Sequence, residues 1–509
     1  MILLLTLLST LVVAIVSYYR WHLGYWKRRG IPGPPGTIFI GNMHSLTDRM
    51  RPLGLVLRDW TKEYGKVYGI QEGLRNTLVI SDVNMIRELF MQKFEYFYGR
   101  KNSALVGDVE NDPRVSIFEA QGARWKRLRA ISSTAFSAAS LKKVRPTVED
   151  SVLNLIKLLD EHAEQEAFDI HQFYKEFTID VIYRIALGQQ GSQMFKDDKM
   201  ARVDAIFQRS GRQPVFYLAS IWPSIGPILR KIYSASAKLR QSPIPLLFAP
   251  IYKAVNERIQ LRESQSDTSE SKEITDYIDL FLDARAEQNF DNRSDFSKNL
   301  HVEKQLTREE IVAQCFTFLV AGFDTTANSL AYATYLLSKH PEAQKHLQEE
   351  IDQYCNDTIS YESLAAMKYL DCVMKEGLRM YPLANFANSR CCMKSTTLGD
   401  VKIEKGTYVI ADTFTLHYDP EIWGDDANEF RPERWMDSNR PVAAWISFGL
   451  GPRQCIGMRL AYMEEKLVLA HLLKRYDILP AEDKLTLMGS VTISPKSVKV
   501  YLKRREQNS

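Results

Sequence analysis

The sequence predicts a mainly α-helical protein with a minor β portion and an N-terminal transmembrane helix. Helical periodicity dominates the chain after about residue 37. Two segments depart from it. Lys66–Asp82 alternates β-branched residues around Gly73 and predicts a hairpin, and Leu485–Leu502 predicts short strands.

The composition excludes several classes of protein. The 509 residues are 45% hydrophobic and 25% charged, as in an ordinary folded protein. The net charge of +4 gives no sign of nucleic-acid binding. The six cysteines all lie in the C-terminal part of the chain, and none forms a C-x-x-C pair. We therefore expect neither a disulfide framework nor a zinc site, and a cytosolic setting.

The N-terminus predicts a membrane anchor at residues 1–20. Met1–Tyr19 is apolar and uncharged, which is just long enough to cross a bilayer. It leads into interfacial aromatic residues (Tyr18, Tyr19, Trp21, Tyr25, Trp26) and basic residues (Arg20, Lys27, Arg28, Arg29). A cleaved signal peptide is the alternative, but a basic n-region and a small-residue cleavage site are missing. The basic residues place the rest of the chain in the cytosol.

Residues 21–36 predict a basic, Pro/Gly-rich hinge, which ends in the stiff segment Ile31–Gly36. No linker follows it, so residues 37–509 are predicted to form a single domain. The polar segment Ser264–Ser271 predicts a surface loop.

One exceptionally long helix is predicted in the middle of the domain. Thr307 and Glu310 form a capping-box pair, and the apolar run continues to Lys339 before Pro341 ends it. Roughly 33 residues correspond to about 50 Å of helix. Because the run is apolar nearly all round, we expect the helix to be buried. The polar interruption within it, Gly322–Thr326, therefore requires a functional reason.

A glycine-rich loop, Phe448–Gly457, precedes a second predicted helix and contains Cys455. A thiol at a helix N-terminus is expected to have a lowered pKa. Gly449 and Gly457 allow the backbone to approach a flat ligand closely, and Arg453 can pair with a carboxylate on that ligand. The alternative is a free cysteine in a tight turn.

This loop resembles the haem-binding signature of the cytochromes P450, Phe-x-x-Gly-x-Arg-x-Cys-x-Gly, of the microsomal type. The resemblance implies the cytochrome P450 fold, in which a long central helix lies over haem b. It also implies that Phe448, Gly449, Arg453 and Gly457 surround the haem and that Cys455 is the axial thiolate ligand of its iron.

The central helix resembles the oxygen-activation segment of that family. Gly322 would leave room for dioxygen, Thr325 would hydrogen-bond its distal oxygen, and Asp324 would relay protons. The alternative is a threonine bonded back to its own helix beside a surface aspartate.

Further segments occur in the family's order. Trp125 and Arg129, one helical turn apart, resemble the pair that holds the haem propionates, together with Arg453. Arg390 and Arg100 are further candidates from family position, although the segment of Arg390 fits only with an inserted residue.

Glu376 and Arg379, at i and i+3 of one helix, resemble part of a structural cluster that Arg434 would complete. The role implied for this cluster is to hold the loop that presents Cys455.

The resemblance implies a monooxygenase that inserts one atom of O₂ into a hydrophobic lipid, steroid or xenobiotic. A separate flavoprotein reductase would supply electrons from NADPH, since no nucleotide-binding glycine motif is evident. The segments His417–Pro420 and Phe430–Trp435 resemble the branch of drug-oxidising enzymes and thromboxane synthase. A peroxide isomerase of the latter type and a haem sensor are the alternatives; the intact Asp324–Thr325 pair favours monooxygenation.

Six basic residues could dock the reductase: Arg124, Lys126, Arg127, Lys142, Lys143 and Arg145. The alternative is that they form an ordinary solvated face. The family's substrate-contacting regions map to Ser103–Glu119, Gln208–Ile228 and Leu383–Asn388. Pro214–Leu218 and Ile221–Pro223 predict an apolar patch that enters the bilayer of the endoplasmic reticulum.

Overall fold

The computed structural model describes most of the chain. It covers residues 1–509 except 209–212, 238, 240–241, 243, 265–275, 285–304, 356–358, 437–438, 490 and 507–509. Most of the predicted loop Ser264–Ser271 lies outside the described residues.

Helices dominate the described residues, as the sequence predicts. They are α1 Ile2–Leu23, α2 Met43–Leu46, α3 Leu53–Tyr64, α4 Val83–Arg87, α5 Gly122–Ala135, α6 Ala138–Asp160, α7 Ile170–Leu187, α8 Lys199–Phe207, α9 Pro214–Ile221, α10 Gly226–Ala235, α11 Ile244–Ser264, α12 Tyr277–Asp283, α13 Arg308–Lys339, α14 Pro341–Tyr354, α15 Tyr361–Ala366, α16 Lys368–Met380, α17 Thr413–His417, α18 Pro420–Trp423 and α19 Met458–Leu473.

The strands are short and form small sheets. They are β1 Val67–Glu72, β2 Arg75–Ile80, β3 Phe168–Asp169, β4 Ser389–Cys391, β5 Thr396–Leu398, β6 Val401–Ile403, β7 Tyr408–Ala411, β8 Tyr476–Pro480, β9 Leu487–Met488, β10 Ser494–Pro495 and β11 Lys499–Arg504. The largest sheet has the order β1-β2-β7-β4, and β1 and β2 form the predicted antiparallel hairpin. Strands β9, β10 and β11 occur in Leu485–Leu502 as predicted; β9 pairs with β10, and β11 pairs with β8, which precedes the predicted range.

Helix α13 is the centre of the core. It begins with the predicted capping box, in which Glu310 N–H donates to the Thr307 hydroxyl and Thr307 N–H donates to the Glu310 carboxylate. It packs against α7, α11, α16 and α19, and its C-terminal half is buried nearly all round. Burial on all sides follows from its apolar composition.

The N-terminal helix α1 is long and apolar enough to cross a membrane, and the residues after it are fixed to the domain. The Trp26 ring packs on Gly69 of β1, where a Cβ atom would lie 2.1 Å from the ring, and Trp26 Nε1 donates to the Ile70 carbonyl over 3.0 Å. Arg29 forms an ion pair with Glu404 over 2.5 Å. The segment that follows α1 therefore has a defined orientation relative to the domain.

The interfacial aromatic residues are only partly where the sequence predicted them. Tyr18 and Trp21 are exposed, but Tyr19, Tyr25 and Trp26 are buried against the protein. The prediction is wrong for these three because complementary surfaces of the domain are available to them, as Gly69 is to Trp26.

The packing of Trp26 predicts that Trp26→Ala destabilises the full-length protein by about 3 kcal/mol, since a large buried aromatic side chain is lost. The midpoint of thermal unfolding in detergent, followed by far-UV circular dichroism, should fall by several degrees. Trp21→Ala, which removes an exposed tryptophan of the same segment, should leave it within error. Equal midpoints for the two variants would contradict the docked orientation of the anchor.

Candidate active site

The loop before α19 presents Cys455 at the helix N-terminus. Gly449 and Gly451 have φ values of 74° and 71°, which favour glycine. The Cys455 N–H donates to the Phe448 carbonyl over 2.8 Å and closes the loop. The backbone N–H groups of Gly457 and Met458 are directed at the thiol.

The Cys455 thiol faces an enclosed space rather than bulk solvent. Its side chain is accessible, yet burial by the surrounding protein raises its pKa. The expected lowering of the pKa is therefore wrong in net direction. The helix N-terminus, Arg129 and Arg100 do lower it, but desolvation of the charged form outweighs them.

Helix α13 bounds the same space. A methyl group on Gly457 would lie 3.8 Å from the Phe136 ring, and that ring lies 5.1 Å from the ring of Phe318 in α13. One turn beyond Phe318, Ala321 is exposed although it lies midway along a buried helix. The loop and the helix thus face each other across a gap.

Four buried or partly buried arginines gather beside this gap. Mutual repulsion links Arg453 with Arg100, Arg129 and Arg390, and Arg453 lies 4.4 Å above the Trp125 ring. Among the described residues, no carboxylate forms an ion pair with any of the four arginines. Burial and repulsion lower the pKa of Arg100 to about 10 and lower those of Arg390 and Arg453 well below the usual value for arginine.

The donors of this cluster fit haem. Arg453 Nε and Nη1, Arg390 Nε and Arg100 Nε are buried without a hydrogen-bond partner. Buried guanidinium groups need an anion, and haem brings two carboxylates on a flat apolar ring. The sequence-predicted residues Arg100, Trp125, Arg129, Arg390 and Arg453 lie together where such carboxylates would be needed.

Asp324 of α13 is buried in a polar network. Its Oδ2 accepts hydrogen bonds from the Asn328 amide over 2.7 Å, from the Ser494 hydroxyl over 3.2 Å and from the Thr492 hydroxyl. Burial raises the pKa of Asp324, whereas Lys175, Thr492 and Asn328 act to lower it. The surface-aspartate alternative is therefore wrong.

A cavity of about 260 Å³ leads from the surface to this network, and its lining includes Lys175, Asp204, Thr492 and Ser494. Lys175 and Asp204 form an ion pair over 2.7 Å. Water in this cavity would have a polar path to Asp324.

Two details of the α13 segment differ from expectation. The Thr325 hydroxyl donates to the Ala321 carbonyl over 2.6 Å, as in the back-bonded alternative, and it retains its acceptor capacity. Gly322 does not open space for dioxygen. A Cβ atom there would lie 2.7 Å from Ile182 Cδ1, so this glycine permits the close approach of α7.

Glu376, Arg379 and Arg434 meet in a fully buried cluster. Glu376 Oε1 accepts from Arg434 Nε and from Arg379 Nη2, each over 2.8 Å. Arg379 also donates to the carbonyls of His417 and Ala427. Because all three side chains are inaccessible to solvent, the cluster fixes the backbone segments that it bridges.

Comparison with known proteins identifies the family. The model of the family described as Cytochrome P450 matches residues 31–502. The chain is 47% identical to CYP13A10 of Caenorhabditis elegans, over 98% of each chain, and 47% identical to CYP13A1 of that organism, also over 98% of each. It is 44% identical to cyp-13B1 of the same organism, over 98% of this chain and 99% of the relative; all three are named as cytochromes P450.

The chain belongs to the cytochrome P450 family. It is accordingly an oxidoreductase of the monooxygenase type, and the family's cofactor is a thiolate-ligated haem. The chain spans nearly the whole length of its relatives.

Sequence reasoning missed the partners of Asp324 in this P450. Asn328 was detectable, since i and i+4 residues share a helix face. Thr492 and Ser494 come from the C-terminal hairpin, and nothing in their local sequence points to Asp324. His171 of α7 completes the network by bonding Asn328 Oδ1 over 2.8 Å.

The predicted docking stretch is wrong for two of its residues. Arg124 and Arg127 are buried and form ion pairs with Glu310 at the start of α13. Arg145 is partly buried and pairs with Glu149 over 3.2 Å. Lys142 and Lys143 are exposed. Helix α5 thus directs Arg124 and Arg127 towards the core, and the exposed basic residues Lys142 and Lys143 lie on α6.

The buried cluster predicts that Glu376→Ala destabilises the protein by about 3–5 kcal/mol, because two buried arginines lose their counter-charge. Yield of haem-loaded protein should fall sharply. Arg431→Ala, which removes a half-exposed arginine of the same region, should leave the yield near wild type. Normal haem loading of Glu376→Ala would contradict the structural role of the cluster.

The arginine cluster predicts opposite effects of Arg453→Met on the two forms of the protein. The haem-free form should unfold at a higher temperature, since a buried unpaired cation is removed. The haem-loaded form should lose haem roughly tenfold faster to an acceptor protein, because a charge-assisted hydrogen bond is absent. If the haem-free variant is no more stable than haem-free wild type, the unpaired charge of Arg453 does not destabilise the haem-free protein, which contradicts the prediction.

Proposed function

We propose that this P450 inserts one oxygen atom of O₂ into a hydrophobic small molecule, using electrons that a separate reductase takes from NADPH. The observation that carries the proposal is the opposition of the Cys455 loop and the Asp324–Thr325 segment across one enclosed space. When bound there, haem supplies the iron and the oxygen-activating chemistry.

The residues on the two sides of the space would have different roles. Cys455 would ligate the iron from one side, and Arg100, Arg129, Arg390 and Arg453 would bind the propionates at the edge of the ring. Thr325 would lie on the other wall, where its hydroxyl can still accept a hydrogen bond. The apolar remainder of the space excludes water and suits a hydrophobic substrate.

Asp324 would hold the proton that oxygen chemistry consumes. Its raised pKa favours the protonated form. Its carboxyl lies between two features: the Thr325 segment of α13 and the cavity that is lined in part by Lys175 and Asp204. Thr492, Ser494 and Asn328 would keep the carboxyl in place.

Asp324→Asn should slow NADPH-dependent product formation by roughly 10²-fold, the usual effect of losing a positioned acid or base. Haem content should be unchanged, because asparagine can accept the same hydrogen bonds, and more of the consumed O₂ should appear as hydrogen peroxide. Glu309→Gln, elsewhere on α13, should behave as wild type. Undiminished turnover in Asp324→Asn would contradict the proton-holding role.

A peroxide isomerase of the thromboxane-synthase type is the second candidate, suggested by the segments His417–Pro420 and Phe430–Trp435. The intact Asp324–Thr325 pair favours monooxygenation, since isomerisation consumes no protons. Turnover of a substrate mixture under ¹⁸O₂ with reductase and NADPH decides between the two. Products should carry one ¹⁸O atom and require NADPH. Unlabelled products formed from a fatty-acid endoperoxide without NADPH would reverse the assignment.

We further propose an endoplasmic-reticulum location, with residues 1–20 as the anchor and residues 37–509 as the cytosolic catalytic domain. Leu218, Trp222 and Ile228 are exposed around α9. Tyr19 at the end of α1 contacts the Ile221 carbonyl over 3.4 Å, which supports a second membrane contact beside the anchor. Lys142 and Lys143 remain for docking an acidic reductase.

A further inference from the structure

The loop before α5 closes over the enclosed space and is tied to three of its walls. The Ile117 N–H donates to the Gln314 side chain of α13 over 3.0 Å. The Ala120 carbonyl accepts from Arg453 over 2.7 Å. Between them, the Phe118 ring packs on Phe386 at 5.8 Å. Glu119 therefore stands between residues that contact the central helix, the arginine cluster and the turn Asn385–Asn388.

The Glu119 carboxylate has no partner among the described residues. It forms no ion pair there and no side-chain hydrogen bond, and its oxygens keep accessible surface. Burial alone raises the pKa of Glu119. Like Cys455, it is an accessible group enclosed by protein, which indicates that it borders an internal space.

Three other enclosed glutamates are paired with cations. Glu310 pairs with Arg124 and Arg127, Glu376 pairs with Arg379 and Arg434, and Glu72 pairs with Lys101 over 2.5 Å. Glu464 and Glu465 of α19 have no cation among the described residues, but their unpartnered oxygens are closed off from any space and burial raises their pKa. An enclosed carboxylate without a cation is unfavourable. At the edge of a substrate space, the missing cation can come from the substrate.

We propose that Glu119 binds the protonated nitrogen of a hydrophobic amine and thereby makes lipophilic amines the preferred substrate class. The Phe118 and Phe386 rings beside it offer apolar and π surfaces to the groups around a cationic nitrogen. This inference rests on the proposed function, since it assigns a substrate class to that site.

Matched ligands test the inference on the full-length haem-loaded protein in detergent. Each pair consists of a hindered tertiary amine, whose nitrogen cannot ligate iron, and its carbon isostere. The substrate-induced shift of the Soret band gives a Kd for each ligand with wild type, Glu119→Gln, Glu119→Asp and the control Glu110→Gln, which lies on the same loop.

Wild type should bind the amines about tenfold more tightly than the isosteres, as expected for one charge-assisted hydrogen bond. Glu119→Gln should remove this preference without weakening the isosteres, Glu119→Asp should retain part of it, and Glu110→Gln should retain all of it. The thermal midpoint of ligand-free Glu119→Gln should not fall below that of wild type, which separates ligand binding from a structural role.

If wild type binds the amines no more tightly than their isosteres, that result alone overturns the inference, whatever the variants show. So would equal weakening of both ligands by Glu119→Gln. Failure of the proposed function is distinguishable: products formed under ¹⁸O₂ with reductase and NADPH would carry no ¹⁸O. Incorporation of one ¹⁸O atom with no amine preference would remove only the role of Glu119.

Discussion

The enclosed positive charge beside Cys455 is the constraint on which the site depends. Arg453 and Arg390 are almost fully buried, lie near Arg100 and Arg129, and lower one another's pKa. A fold does not retain such a group of unpaired cations for its own stability, because their desolvation is costly. A bound dianion would neutralise them, and haem held there by its propionates would lie between the Cys455 loop and α13.

The separation of the two walls is itself maintained by polar clusters. Glu376 joins α16 to Arg434 and so fixes the segments that precede the Cys455 loop. Glu310 joins the start of α13 to Arg124 and Arg127 of α5, the helix that also bears Trp125 and Arg129. In each case, two arginines share one buried carboxylate. These ion pairs fix the relative positions of the segments that they join more specifically than apolar packing alone.

The sequence predicted those parts of the site that depend on local spacing. The capping box of α13, the turn that carries Cys455 and the i,i+3 pair of Glu376 and Arg379 are all properties of short segments. Membership of the family and the mainly α fold followed from them and are confirmed.

Features set by distant packing were not predictable in this way. The hydrogen bonds of Thr492 and Ser494 to Asp324 join segments far apart in sequence, and Gly322 is explained only by Ile182 of α7. The direction of the Cys455 pKa depends on desolvation, which local sequence does not report. If Cys455 ligates haem iron, as we propose, the charge of the metal would be the main factor that stabilises its thiolate.

The absorption spectrum of the dithionite-reduced carbon-monoxide adduct tests the central claim, that Cys455 supplies a thiolate to haem iron. The account predicts a strongly red-shifted Soret band for the full-length protein and its loss in Cys455→Ser, with retention in Cys372→Ser, which alters a buried cysteine elsewhere. A wild-type adduct without the shift, or a Cys455→Ser adduct that keeps it, would contradict the account.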